Sequence, residues 1–175
     1  MRKKSQLHRL QLQSILLYGE GPTDEAFLHY LGGLYCPRGC GKLVRYDNAH
    51  GGGADGAAKK AMQAHGEIPY SRKLLLLDGD TKLSSPRRDL LIGNRWVIFV
   101  PEPCVEGLFL DIREPRRSHA TWSTPQCKRE FHQKYLDEGE AMDYLSYKGL
   151  FSKSVIEKAS KQLAIMGKIL QLLQS

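Results

Sequence analysis

Carboxylate side chains follow three apolar segments of this chain, each close to the point where the segment ends. Glu20 comes directly after SILLYG, Asp78 and Asp80 come after a run of leucines, and Glu102 and Glu106 follow RWVIFV. Hard divalent cations such as Mg²⁺ prefer oxygen ligands, and they commonly use one or two protein carboxylates together with phosphate oxygens of a substrate. The pattern is therefore typical of metal-assisted phosphoryl chemistry.

Taken singly, each acid has a simpler explanation. DGD is a common polar turn after a strand, and Glu20 stands where an acid often caps a helix. Three separate strand ends that each carry carboxylates favour a shared site instead, because crowded carboxylates repel one another and a cation keeps them ionised. Glycines flank these acids and predict slender turns that a bulky ligand can approach; they are Gly19, Gly21 and Gly79.

Alternating strands and helices are predicted over the first two thirds of the chain. The predicted strands are 14–19, 42–48, 73–78 and 95–101, and the predicted helices run from Pro22 to Gly32 and Gly33, from about Ala57 to His65, and over 87–93. This alternation predicts an α/β fold with a mainly parallel central sheet of about four strands flanked by helices. Ligands of such sheets gather at the carboxyl ends of the strands, where the acids are expected.

The last third predicts a mostly helical extension packed on the same domain. KREFHQKYLDEGEAMDYL is expected to be helical with a break at Gly139, and 152–173 is expected to form one amphipathic helix. The predicted organisation is therefore a basic arm over 1–13, an α/β domain over 14–112 and the extension over 113–175.

Composition narrows the class of protein. The chain has 175 residues, 41% of them hydrophobic, which excludes a disordered tail and predicts one packed domain. Lys and Arg outnumber Asp and Glu by 26 to 19, and the resulting net charge of +7 suits a polyanion, with nucleic acid the leading candidate. The sequence contains no apolar run long enough to cross a bilayer and no convincing signal peptide, so a cytoplasmic protein without membrane contact is expected.

Several other groups allow two interpretations. Several basic residues are candidates for contacts with nucleic acid, and an ordinary solvated surface accounts for them equally well. They are Lys59, Lys60, Arg87, Arg88, Arg113, Arg116 and Arg117. Trp122 is a candidate platform on which a base could stack. The run Gly51–Gly53 forms either a phosphate cradle or a flexible loop. His50 and His65 are either acid–base groups or ordinary histidines, and CPRGC is either a metal clip or a pair of reduced thiols.

Two motifs carry a resemblance to a known family. YGEGPTDEAFLHYL, followed further along by LLLLDGD, resembles the TOPRIM fold, the Mg²⁺-binding module that topoisomerases, primases and several nucleases share. EGPTDEAFL, HGGG and PCVEGLFL together are more similar to the overcoming-lysogenization-defect (OLD) nucleases and to RloB-like proteins of bacterial defence loci. The resemblance covers roughly 14–112, and the last third of the chain is outside it.

The resemblance implies roles for individual residues. Glu20 matches the catalytic glutamate of the family, and Asp78 and Asp80 match its metal-binding pair. Asp24 matches an acid one helical turn after that glutamate and is expected to hold a second cation, while Glu106 is expected to complete the rim. The implied cofactor is Mg²⁺, with Mn²⁺ as a possible substitute.

The implied activity is Mg²⁺-dependent hydrolysis of phosphodiester bonds in nucleic acid, in bacterial or phage-related defence. OLD nucleases carry a fused ATPase domain, whereas this sequence has no G-x-x-x-x-G-K-[S/T] phosphate loop, so an ATPase partner is expected to be a separate chain. The alternative is a noncatalytic or partner-dependent TOPRIM subunit that binds nucleic acid or regulates that ATPase. Nucleotidyl transfer with the same metal chemistry is a third possibility, while topoisomerase and primase activities need a larger body.

Overall fold

A four-stranded sheet forms the centre of the computed structural model, which describes residues 13–175. Its strands are β1 (Gln13–Gly19), β2 (Lys42–Asn48), β3 (Arg72–Leu76) and β4 (Trp96–Phe99). Every neighbouring pair is parallel, and the order across the sheet is β2-β1-β3-β4. Consecutive apolar residues form the two central strands because both faces of these strands are covered.

Helices cover both faces of this sheet. They are α1 (Pro22–Tyr35), α2 (Gly53–His65), α3 (Ser85–Gly93), α4 (Val105–Arg113), α5 (Thr124–Lys134), α6 (Glu138–Ala141), α7 (Tyr147–Leu150), α8 (Lys153–Gln162) and α9 (Ala164–Gln174). Side chains of β1 alternate between two cores: Ile15 and Leu17 face α1, α4 and the C-terminal helices, while Leu16 and Tyr18 face α2 and α3. The alternation follows from the two-residue period of a strand.

The strand order reverses direction beside β1. From β1 the chain crosses to β2, passes back to β3 on the other side of β1, and continues outward to β4. The helices that follow β1 and β3 lie on opposite faces of the sheet, so the chain segments leaving these strands diverge and open a crevice. Ligands of open α/β sheets bind at such a switch point.

The C-terminal helices share one aromatic core with the sheet. Phe27 of α1 and Phe109 of α4 meet edge to face with ring centroids 4.7 Å apart, and Tyr147 of α7 lies 5.4 Å from Phe109. All three side chains are fully buried, and the Tyr147 hydroxyl donates to the Ala141 carbonyl at 2.8 Å. The predicted α/β fold, with a parallel four-stranded sheet, flanking helices and a helical C-terminal region, is therefore confirmed.

Two predicted helix boundaries were wrong, and in both cases glycines lie inside the helix instead of outside it. Helix α1 continues through Gly32 to Tyr35, and Gly32 serves packing rather than termination, because a Cβ there would come within 2.9 Å of the Tyr46 ring. Helix α2 begins at Gly53 rather than at about Ala57. Gly53 and the two glycines before it have positive φ angles of 71°, 78° and 108°, which form the turn into the helix.

The predicted breaks in the C-terminal region were also misplaced. Helix α5 already ends at Lys134, and Gly139 lies inside the short helix α6. The single helix expected over 152–173 is two helices that pack on each other, separated at Leu163, whose backbone is extended. Gly167 allows this packing because a Cβ there would lie 2.8 Å from the Ser160 carbonyl oxygen.

Two remaining predictions concern the ends and the environment of the chain. The basic arm predicted over 1–13 lies outside the described residues except for Gln13, which begins β1. None of the helices over residues 13–175 combines the length and the apolar character that a membrane span requires.

Candidate metal centre

Glu20 and Asp78 meet in the crevice between β1 and β3. The backbone N–H of Asp78 donates to Glu20 Oε2 at 3.2 Å, and the N–H of Glu20 donates to the Leu76 carbonyl at 3.0 Å. Asp78 Oδ1 in turn accepts from the N–H of Val105, in the first turn of α4, at 2.9 Å. The fold therefore brings the Glu20 carboxylate to the backbone of Asp78, a residue far away in the sequence, and close enough for its charge to raise the pKa of the Asp78 carboxyl, after the larger effect of burial.

Asp24 lies buried behind this pair, in the first turn of α1. Its Oδ2 accepts from the N–H of Gly21 at 2.8 Å, and its side chain is 4% exposed. Gly19 makes the approach possible, since a Cβ at Gly19 would lie 2.6 Å from the Asp24 Cβ and 2.8 Å from the Glu25 nitrogen. The helix start and the strand end are thus pressed together, and a third acid reaches the crevice.

Glu106 of α4 approaches from the other side and is 3% exposed. Its Oε2 and the Asp24 Oδ1 are both buried and have no hydrogen-bond partner among the described residues. Buried carboxylate oxygens are normally paired, since an unpaired one loses its hydration without compensation. These two oxygens mark positions where a cation or a donor from a ligand would be stabilised.

The acids shift one another's protonation. Burial raises the pKa of Asp78 to about 7, with Glu106 and Glu20 adding to the rise and the Val105 N–H opposing it. Burial likewise raises the pKa of Asp24 well above its usual range, and Asp78 adds to that rise. The pKa of Glu20 is also raised, first by burial and then by Asp80. Without a cation, this site holds more protons near neutral pH than separate carboxylates would.

A basic residue that the sequence did not single out also acts on this cluster. Lys128 of α5 lies near Glu106 and Asp78, and although burial opposes its charge, these acids raise the pKa of its ammonium group. One turn further along α5, His132 Nε2 lies 3.9 Å from Glu106 Oε1. Nothing local in KREFHQK distinguishes Lys128 from its neighbours, because only the packing of α5 against α4 brings it to the acids.

The donor set fits a hard divalent cation more than a soft one. The residues that meet here supply carboxylate oxygens, and the two buried orphan oxygens belong to this set. Over residues 13–175, however, no three His, Cys, Asp or Glu side chains lie close enough together to form a ready coordination cluster. Mg²⁺ does not require one, since it usually keeps several waters and takes one or two protein carboxylates.

Asp80 and Glu102 form the outer part of the site. The Asp80 side chain is exposed, makes no hydrogen bond or ion pair within the described residues, and affects the pair through its charge on Glu20. Glu102 packs over Gly79, where a Cβ would lie 2.5 Å from Glu102 Oε2 and 2.8 Å from the Pro101 carbonyl oxygen. The turn between Asp78 and Asp80 therefore requires glycine for space.

Some predicted nucleic-acid contacts lie near the acids. Arg88 lines a cavity of about 210 Å³ together with Asp78, Gly79 and Glu102. Arg87 sits on the same helix, α3, and lowers the pKa of Asp55 after the stronger effect of hydrogen bonds from Ser84. Arg88 is thus the predicted basic residue that directly borders the acidic site.

Lys59 and Lys60 lie on α2 near the glycine run. Lys59 is exposed, while the Lys60 ammonium donates to the carbonyl oxygens of Ala49 at 2.5 Å and Gly51 at 3.4 Å. The Gly51 N–H also donates to the Glu20 carbonyl at 2.9 Å. The glycine run is therefore tied to the acidic site through its backbone.

The remaining arginines lie at the far end of α4, roughly 12 Å from its start at the acids. Arg113 stacks over Tyr135, with 5.5 Å between its guanidinium carbon and the ring centroid, and Arg117 stacks 4.5 Å over Trp122. One face of Trp122 is thus covered by the protein itself. Arg116 is exposed.

The two histidines and the two cysteines of CPRGC that allowed two interpretations make no hydrogen bond or ion pair with the acids of the crevice in the described part of the chain. His65 is 2% exposed, and its Nε2 lies 2.7 Å from Asp47 Oδ2 in the pairing of α2 with β2, while His50 is exposed in the loop after β2. In CPRGC, Cys36 is buried and Cys40 is exposed, and both are free thiols. The acidic crevice therefore remains the main candidate for chemistry.

Compared with known protein families, curated proteins and solved structures, the chain gives no match. Membership of the TOPRIM family stays a prediction made from the motifs.

Proposed function

We propose that the protein is a metal-dependent phosphodiesterase that hydrolyses nucleic acid at the acidic crevice. The observation that carries the proposal is the Glu20–Asp78 contact at the switch point, with the buried orphan oxygens of Asp24 and Glu106 beside it. Mg²⁺, when bound, would screen charge that develops on the phosphate and lower the pKa of the attacking water. The motif resemblance to defence nucleases supports the same activity and a role in bacterial or phage-related defence.

The side chains have separate roles in this proposal. Asp78 and Asp80 would hold the cation, and Asp24 and Glu106 would supply negative charge from behind it. Glu20 would accept the proton of the attacking water, because its raised pKa brings its basicity closer to neutral pH than that of an ordinary carboxylate. The Lys128 ammonium partly balances the cluster while the cation is absent.

A nucleic-acid substrate also fits the charge of the protein. The net charge of +7 favours association with a polyanion, and Arg88 borders the cavity beside Asp78. If Arg88, Arg113, Arg116 and Arg117 contact phosphates, the logarithm of affinity should fall linearly with the logarithm of salt concentration. Removing one such contact should reduce that slope by about 0.7–0.9.

The test is cleavage of end-labelled single-stranded DNA, duplex DNA and RNA by the purified chain. We expect cleavage with Mg²⁺ or Mn²⁺, none with EDTA, and a loss of at least about 100-fold in Glu20→Gln and Asp78→Asn. Asp89→Asn is the matched control, because Asp89 is an exposed acid of α3 that makes no hydrogen bond or ion pair with the described residues of the site. Full Mg²⁺-dependent activity in folded Asp78→Asn would contradict the proposal.

One observation favours a second candidate, a partner-dependent subunit. The OLD nucleases that the motifs resemble carry a fused ATPase domain, whereas this sequence has no G-x-x-x-x-G-K-[S/T] phosphate loop. This candidate predicts that the isolated chain binds nucleic acid without cutting it, and that a separately encoded ATPase restores cleavage. Cleavage by the isolated chain with Mg²⁺ decides against it.

A further inference from the structure

A groove runs between the edge strand β4 and helix α9, away from the acidic crevice. It encloses about 690 Å³. Its apolar wall includes Val97 and Phe99 of β4 and Ile165 of α9. Val97 is 43% exposed, which is unusual for a strand side chain facing a core and shows that this part of β4 is uncovered by the described residues.

The edge of β4 offers backbone hydrogen-bonding groups to this groove. The Phe99 carbonyl accepts from the Leu77 N–H at 2.9 Å, so Phe99 directs its backbone groups towards β3. The residues on either side, Ile98 and Val100, therefore direct their N–H and C=O groups outward, and both border the groove. Within the described residues these outward groups have no hydrogen-bond partner. An uncovered edge of this kind is a template for an added strand.

The rim of the groove is positively charged. Arg72, Arg95 and Lys168 border it, and no Asp or Glu is among the residues that line it. Arg72 donates to the Leu172 carbonyl at 2.8 Å and to the Ser175 carbonyl oxygen at 2.5 Å, whereas Arg95 and Lys168 form no ion pair with a carboxylate over residues 13–175. Beneath the rim, burial and then the charge of Arg95 lower the pKa of Lys73. Arg95 and Lys168 thus supply the unpaired positive charge of the rim.

We propose that this groove binds an extended acidic peptide segment of a partner protein, which adds to β4 as a further strand. Outward backbone groups of Ile98 and Val100 supply the main-chain hydrogen bonds of such an added strand. Apolar side chains in the middle of the peptide that face α9 fill the wall formed by Val97 and Ile165, and acidic side chains towards its ends meet Arg95 and Lys168. The proposal concerns a surface separate from the acidic crevice and does not depend on the proposed nuclease activity.

Other occupants fit this surface less well. A second copy of the chain would bring the same cationic rim against itself, which disfavours edge-to-edge pairing. Residues 1–12 carry Arg2, Lys3, Lys4 and Arg9 with no acid, so their charge opposes the rim as well. Nucleic acid matches the charge, but Phe99 is the only aromatic residue lining the groove within the described chain, and it is 5% exposed, so bases have no stacking platform.

The test uses fluorescein-labelled peptides and fluorescence anisotropy on the full chain. The probe, called the Val–Glu peptide, has a central run of Val flanked on both sides by Glu. Its controls are the same peptide with Lys in place of Glu, a Val–Glu peptide with a central proline, and an oligo-dT strand. We expect the Val–Glu peptide to bind and the other two peptides to fail, because proline removes a main-chain donor and lysine meets the cationic rim.

Charge variants and hydrogen exchange locate the binding. The double variant Arg95→Asp with Lys168→Glu should lower the affinity for the Val–Glu peptide by at least about tenfold. The control variant Lys148→Glu with Lys158→Glu changes exposed positions outside the groove and should leave that affinity unchanged. Aspartate is chosen at Arg95 because its φ of 62° is one that Asp tolerates. Bound peptide should also slow amide exchange at Ile98 and Val100.

Several results would overturn the inference. Absence of Val–Glu binding at millimolar peptide, equal binding of the proline peptide, or equal binding after charge reversal at the rim would each do so. Tight oligo-dT binding that the rim variant abolishes would assign the groove to nucleic acid instead. A concentration-dependent dimer that the rim variant dissociates would assign it to a second copy.

Discussion

Asparagine in place of Asp78 should change how the free energy of unfolding depends on pH. Burial, with Glu106 and Glu20, raises the pKa of Asp78 to about 7 in the folded protein, against 3.8 for the ordinary side chain. Between these pH values the folded state retains a proton that the unfolded chain has released. Stability therefore falls as pH rises through this window, because the folded state binds more protons than the unfolded state.

The size of the effect follows from the shift. A difference of about three pKa units corresponds to up to about 4 kcal/mol, at 1.36 kcal/mol per unit. Asn mimics the protonated carboxyl and still accepts from the Val105 N–H through its side-chain oxygen. Without divalent cations, Asp78→Asn and the unaltered protein should therefore be equally stable near pH 4, and the variant should be more stable by up to about 4 kcal/mol near pH 8.

The assay is urea unfolding between pH 4 and 8, with and without Mg²⁺. Because Mg²⁺ binds the ionised acids of the folded state, it should stabilise the unaltered protein at pH 8 by about 2.7 kcal/mol when present at 100 times its dissociation constant, and should stabilise Asp78→Asn less. Asp89→Asn should follow the unaltered protein throughout. A stability difference between the unaltered protein and Asp78→Asn that stays constant with pH would refute the reasoning, as would equal stabilisation of both by Mg²⁺.

Two further substitutions test the surroundings of the acids. Gly79→Ala places a Cβ 2.8 Å from the Pro101 carbonyl oxygen and should lower the free energy of unfolding, measured by urea titration, by about 1–3 kcal/mol. The control Gly93→Ala meets no atom within 4 Å and should leave the free energy of unfolding unchanged or raise it slightly. Lys128→Met removes the ammonium that favours the ionised acids, so the folded-state pKa of Asp78 should rise further. Without Mg²⁺, the upper limit of the pH window over which stability falls should therefore move to higher pH. The neighbouring exposed Arg129→Met should leave that upper limit unchanged, and equal curves for the two methionine variants would show that Lys128 does not act on the site.

The sheet and the meeting of two acids could be predicted from local patterns. Apolar runs that end at Gly19 and before Asp78 predict strands, and parallel strands bring their carboxyl ends to one edge of a sheet. The Asp78 N–H to Glu20 contact confirms that these two acids lie together. The metal-binding role of this pair stays a prediction.

Tertiary packing decided what the sequence could not predict. Lys128 reaches the acids only because α5 packs on α4, and no spacing within α5 records that contact. The break at Leu163 is similar, since the residues on both sides have helical periodicity and the chain folds back so that α8 and α9 bury each other's apolar faces. Helix periodicity reports which residues are apolar on one face, but not where a long helix divides.

Anomalous scattering from crystals grown with Mn²⁺ tests the central claim most directly. We predict a peak in the crevice between β1 and β3 within about 2.0–2.3 Å of an Asp78 carboxylate oxygen, with at least one further oxygen ligand from Glu20, Asp24, Asp80 or Glu106. The same peak should be missing from Asp78→Asn crystals. The account would be contradicted if no manganese peak appeared in the crevice at a pH where its acids are ionised. A manganese peak found only elsewhere, such as beside His65 and Asp47, would also contradict it.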